Sequence, residues 1–116
     1  MDRTVEINGV ELYFSVTDID FMKKFRAKEE SFIKKLGNMN SDDDLQLLEM
    51  QYNAGCEFFD SIFGKGTSGK VFKKKDIGLV LEAYKDLVDA AEIQTNEHLA
   101  LASVFVPSAV EEASEE

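Results

Sequence analysis

The sequence predicts a mostly helical α+β domain, with an N-terminal β-hairpin packed on a bundle of three main helices. Two short segments of alternating apolar and polar residues flank Asn8-Gly9, the strongest short hairpin signal. Three longer segments carry apolar residues at helical spacing, each opening on a capping residue. Together these place a hairpin over 3–16, helices over about 18–36, 42–63 and 76–98, and a single domain over 1–102.

In the hairpin, Val5 and Ile7 alternate with Thr4 and Glu6, and Val10, Leu12 and Phe14 alternate with Glu11, Tyr13 and Ser15. Asn8 and Gly9 both tolerate the positive φ that a tight turn needs. An isolated two-stranded ribbon is marginal in water. Its apolar face must therefore lie on helices, gain a third strand, or meet another subunit.

Thr17 or Asp18 can cap the first helix, with Asp20 favourable in its first turn. Ile19, Met22, Phe25, Phe32, Ile33 and Leu36 fall largely on one stripe, and Gly37-Asn38 ends it. Asp18 and Asp20 resemble the opening of a calcium loop, but the later ligands and turn glycine do not follow, so a cap accounts for them better. Ser41-Asp42-Asp43-Asp44 opens the second helix, with Ser41 as cap and the acids at the positive end of the dipole. Adjacent carboxylates on a helix point about 100° apart and cannot converge on a metal unaided. Leu45, Leu48, Tyr52, Cys56, Phe59 and Phe63 form the inward stripe, widened by Leu47, Phe58 and Ile62.

The second helix stops at Gly64, where a left-handed cap is expected. The stretch Gly64-Lys65-Gly66-Thr67-Ser68-Gly69-Lys70 matches seven positions of a phosphate-binding loop. Such a loop needs a metal-ligating Ser or Thr after its lysine, a buried strand before it and a helix after it. Val71 stands at the hydroxyl position and a helix precedes the loop, so a cap and a polar connection is the better reading, with Lys70 solvated. Asp76 caps the third helix, whose inward residues are Ile77, Val80, Leu81, Tyr84, Leu87, Val88 and Ala91. Glu82, Asp86, Asp89 and Glu92 lie mostly outside, and Lys85 and Asp89 form an opposite-charge pair at i,i+4. Residues 99–107 (LALASVFVP) extend the helix, pair with the hairpin edge through Val104-Phe105-Val106, or contact a partner. Residues 103–116 read as an acidic, disordered tail.

No chemistry emerges from the reactive residue types. Cys56 lies on an apolar helical face without a base nearby and reads as a small core residue. His98, the sole histidine, stands outside any metal-ligand cluster and has no thiol beside it, and it reads as a surface residue near the helix end. No catalytic, cofactor-binding or metal residue is assigned. One cysteine excludes an internal disulfide, which suits a reducing cytoplasm. No apolar run approaches the ~20 residues that cross a bilayer, and no signal-peptide pattern opens the chain.

The net charge of −10 is segregated. Residues 1–75 hold 12 of the 13 basic residues against 13 acidic ones; beyond them Lys85 stands alone against ten acids. Lys65, Lys70, Lys73, Lys74 and Lys75 crowd the segment just before the acidic third. This layout can pair surfaces within a chain or between copies. Affinity for nucleic acid is not expected, because most of the surface repels phosphate.

The pattern EINGVELYFSVTDIDFMKKF, followed by a helix and then CEFFDSIFGKGTSGKVF, resembles a group of small phage and prophage proteins. Their motif FFD-x-x-FG-x-GTS-x-x-x-F is matched here by Phe58, Phe59, Asp60, Phe63, Gly64, Gly66, Thr67, Ser68 and Phe72. The likeness covers about residues 5–97. Those proteins are similar in size, helix content and acidity to tail assembly chaperones of long-tailed phages. The resemblance implies a non-enzymatic, cytoplasmic protein of a bacterial host that forms homo-oligomers around a partner such as the tape-measure protein. It supplies no catalytic residues. The alternative is an acidic inhibitor or adaptor, of which a DNA mimic is one form, that binds a host protein through carboxylates on the third helix. A nucleotide-binding enzyme using Gly64–Lys70 is the third reading.

Overall fold

A computed structural model describes residues 2–104. Strands β1 (Thr4–Ile7) and β2 (Val10–Tyr13) precede helices α1 (Ile19–Asn38), α2 (Asp44–Phe63), α3 (Thr67–Val71) and α4 (Ile77–Ala102). This is the mostly helical α+β arrangement the sequence predicts. Asn8 and Gly9 take φ of 51° and 81° and join Ile7 to its partner Val10. Positive φ at both positions gives the tight turn whose twist suits antiparallel strands. Val5, Ile7, Leu12 and Phe14 are buried on one face. That face lies on helices, with β1 against α4 and Phe14 edge-on to Phe21 and Phe25. Of the three ways to cover the ribbon, the chain uses its own helices.

Asp18 caps α1 by accepting from the Phe21 amide at 3.1 Å. Helix α1 runs antiparallel to α2, as Phe21 meets Phe63, and Phe25 and Phe32 both meet Phe58. The buried residues of α1 are Phe21, Phe25 and Phe32. Phe21 thus replaces Ile19 and Ile33 of the expected stripe, both of which are exposed. At the start of α2 the cap is Asp43 rather than Ser41. Its carboxylate accepts from Leu45 and Gln46, while Ser41 Oγ accepts from the Asp43 amide and donates to Gln46 Oε1. A carboxylate beside the positive end of the dipole is the stronger cap.

Helices α2 and α4 run side by side in the same direction. Gly55 faces Val80, Phe58 meets Tyr84, and Lys75 reaches Glu49 at 3.3 Å. Asp76 caps α4 as expected, through the Gly78 amide at 2.8 Å. The helix continues past the predicted end to Ala102, so residues 99–102 are helical. Ser103-Val104 turn out of it, and residues 105–107 of the apolar segment, with the rest of the acidic tail, lie outside the described residues. The inner face of α4 is Val80, Ala83, Leu87 and Gln94, whereas Leu81 and Val88 are exposed.

Tyr84 donates to Glu29 Oε2 at 2.7 Å, tying α4 to α1. Burial, and then the Glu29 carboxylate, push its phenol up to about 12. An unfolded tyrosine ionises near 10. Between these values the unfolded chain has lost a proton that the folded chain keeps, so stability must fall as pH rises from about 10 to 12. Burial pushes Tyr52 up to about 12 as well, so both side chains contribute. Denaturation midpoints measured across that window should drop steadily, and less steeply in Tyr84→Phe. An unchanged slope would remove Tyr84 from the account.

Candidate functional site

The Gly64–Lys70 segment is not an open loop. Gly64 ends α2 with φ 114° and ψ 150°, which is positive but extended, and the left-handed residue is Gly66 at φ 91°. Thr67 Oγ1 and the Thr67 amide both donate to the Gly64 carbonyl, at 2.7 and 3.1 Å. Ser68 donates its amide to Asp60 Oδ1 at 2.7 Å and its hydroxyl to Asp60 Oδ2 at 3.0 Å. The short helix α3 follows where sequence spacing gave only a connection. Asn8 Nδ2 then donates to the Val71 carbonyl at 2.9 Å, locking the hairpin turn onto the end of α3. A phosphate cradle needs free N–H donors. Here a carboxylate already takes one of them and would repel the phosphate.

In this arrangement the polar members of the FFD…GTS motif build the fold. Asp60 clamps α3 to α2, and Phe59 and Phe72 pack beneath it at 5.1 Å. Lys65 and Lys70 remain exposed. Asp60→Ala should cost about 2 kcal/mol, the scale of a charge-assisted hydrogen-bonded pair. Urea unfolding should show a clear loss, smaller for Asp60→Asn, which keeps an acceptor. Equal losses would mean that packing, not the carboxylate, holds α3.

A cavity of about 710 Å³ opens where β2 and α1 meet the end of α2, lined by Glu11, Tyr13, Asp18, Asp20, Lys24 and Phe63, among others. Its polar groups are partly engaged: Asp18 caps α1 and accepts from Tyr13 Oη at 2.6 Å. That hydrogen bond lowers the Asp18 carboxyl and raises the Tyr13 phenol from their ordinary values. Among the described residues no group of three His, Cys, Asp or Glu is placed to hold a metal. None of their helices is long and apolar enough to cross a membrane. Cys56 is half-buried beside the core and His98 is exposed on α4.

A second surface lies where the first half of α2 meets the start of α4. Leu45 and Leu48, expected inside, are 73% and 48% exposed. With Tyr52 and Ile77 they line a groove of about 430 Å³, bordered by Lys74, Lys75, Glu49 and Asp76. Further out, Leu81, Val88, Ile93 and Leu101 of α4 are also exposed. The carboxylate row of α4 is interrupted, because Lys85 pairs with Asp89 at 3.1 Å.

A family model described as a family of unknown function (DUF6673) matches residues 8–108. The chain belongs to this family. No curated protein and no solved structure matches it. The DUF6673 match begins at the hairpin turn and passes the end of α4, so it includes the Asp60 clamp, the apolar groove and the buried Gln94. Sequence reasoning placed Asp60 within a motif without assigning it a role and passed over Gln94 altogether.

Proposed function

We propose that the chain is a non-enzymatic phage or prophage protein of the tail assembly chaperone kind. In this reading it self-associates in the cytoplasm of a bacterial host and binds a phage protein such as the tape-measure protein. One observation carries the reading: apolar side chains expected in the core, Leu45, Leu48, Leu81 and Val88, lie outside, while the polar residues of Gly64–Lys70 are engaged in building the fold. A surface of this kind suits protein contacts. The hairpin no longer argues for assembly, since its apolar face is covered within the chain.

The test is co-expression with the tape-measure protein of the same phage or prophage, followed by light scattering of the purified material. The expected result is a complex of fixed stoichiometry, and a chain alone that grows in mass with concentration. A chain that stays monomeric and does not retain the tape-measure protein would overturn the reading.

A further inference from the structure

We propose that the groove between the first half of α2 and the start of α4 receives residues 105–116 of a second copy, joining copies head to tail. The inference rests on the self-association just proposed and names its interface. Leu45 and Leu48 continue the helical stripe that buries Phe59 further along α2, but among the described residues Leu45 is left mostly uncovered and Leu48 half-covered. The groove is therefore core-like in character and open at the surface. Apolar anchors in a desolvated pocket supply most of the affinity in such contacts.

Charge selects the occupant. At the rim Lys74, with its chain neighbour Lys73, is exposed and makes no ion pair among the described residues, whereas Lys75 is held by Glu49. Asp76, the other acid at the rim, is committed to the Gly78 amide. The segment 105–116 (FVPSAVEEASEE) offers Phe105, Val106 and Val110, then Glu111, Glu112, Glu115 and Glu116, with no cation. An apolar run followed by carboxylates fits an apolar groove beside free lysines.

Length decides between the same chain and another. Helix α4 has 26 residues and so separates the groove from the start of the segment by about 39 Å. An extended chain spans at most about 3.6 Å per residue. From Val104, Val110 reaches no more than about 22 Å, so neither it nor Phe105 and Val106 can enter their own groove. Another copy must supply them. Such an interface uses different surfaces on the two partners, so it propagates into rings or open filaments instead of stopping at a dimer.

The experiment compares full-length chains by light scattering over a concentration series. The groove variant is Leu48→Asp, at an exposed position where folding should be unaffected, as an unchanged thermal unfolding curve would verify. The tail variant carries Phe105→Asp and Val106→Asp. Each alone should associate about thirtyfold more weakly than the unsubstituted chain, the scale of losing a binding hot spot. Their equimolar mixture should form a complex of two chains and grow no further, because the intact groove of one takes the intact tail of the other. Assembly of either variant like the unsubstituted chain, or a mixture that stays monomeric, would overturn the head-to-tail contact and leave self-association standing. An unsubstituted chain that is monomeric at every concentration would overturn both.

Discussion

Gln94→Leu is expected to cost about 2–4 kcal/mol and to loosen the hairpin from α4. Gln94 is 2% exposed, and its amide makes two hydrogen bonds to the segment that follows β2. Nε2 donates to the Phe14 carbonyl at 2.8 Å, and Oε1 accepts from the Val16 amide at 3.0 Å. Leucine has similar size but satisfies neither group: the buried Phe14 carbonyl left without a partner costs about 1–3 kcal/mol, and the half-buried Val16 amide costs about 1 kcal/mol. Gln94→Glu separates hydrogen bonding from packing. An ionised carboxylate can accept from Val16 but repels the Phe14 carbonyl, whereas a protonated one can serve both. The introduced carboxyl should therefore hold its proton more tightly when folded than its unfolded value of about 4.3. This variant should be most stable below that value and lose stability as pH rises through the folded-state pKa. Urea midpoints for the three chains at acid and neutral pH decide the matter. Gln94→Leu unfolding within about 0.5 kcal/mol of the unsubstituted chain would show that packing alone seats the hairpin.

What the sequence made legible was local. The Asn8-Gly9 turn, the Asp18 and Asp76 caps and the Lys85–Asp89 pair each depend on residues a few positions apart. Periodicity also located all three long helices. It could not say what would cover each stripe: Leu45, Leu48, Leu81 and Val88 have core spacing yet are exposed, because no element among the described residues buries them. A helical pattern is the same for a core face and a face awaiting a partner. Gln94 was illegible for the opposite reason. A glutamine within a helix reads as a surface residue, and only the strand end brought beside it by the fold, 80 positions away at Phe14, makes it a buried tie. Asp60 lies between these cases. Its motif was visible, but the turn through Gly64 and Gly66 that returns Ser68 to it belongs to backbone geometry that spacing does not encode.

Gly55→Leu should cost about 3 kcal/mol, the upper range for overpacking, because α2 and α4 meet there without room for a side chain. A Cβ built on Gly55 would overlap Val80 Cγ1, and Val80 is fully buried. Even Gly55→Ala should destabilise by about 1 kcal/mol, although alanine favours an ordinary helix interior over glycine by about that amount. That reversal of sign identifies the crossing as the cause. Val80→Ala should also destabilise by itself through the lost methyl groups. Combined with Gly55→Ala it should cost less than the two single changes together, with a coupling of about 0.5–3 kcal/mol. Strict additivity would mean that the helices adjust without strain. The crossing also fixes where α4 begins relative to Leu45, Leu48 and Tyr52, and hence the width of the groove. Under the proposed head-to-tail contact, Gly55→Leu should therefore weaken assembly although Gly55 does not line the groove, whereas Gly55→Ala with Val80→Ala should leave it close to that of the unsubstituted chain. Folding and assembly would then respond together to one interhelical contact, whereas Leu48→Asp should affect assembly alone.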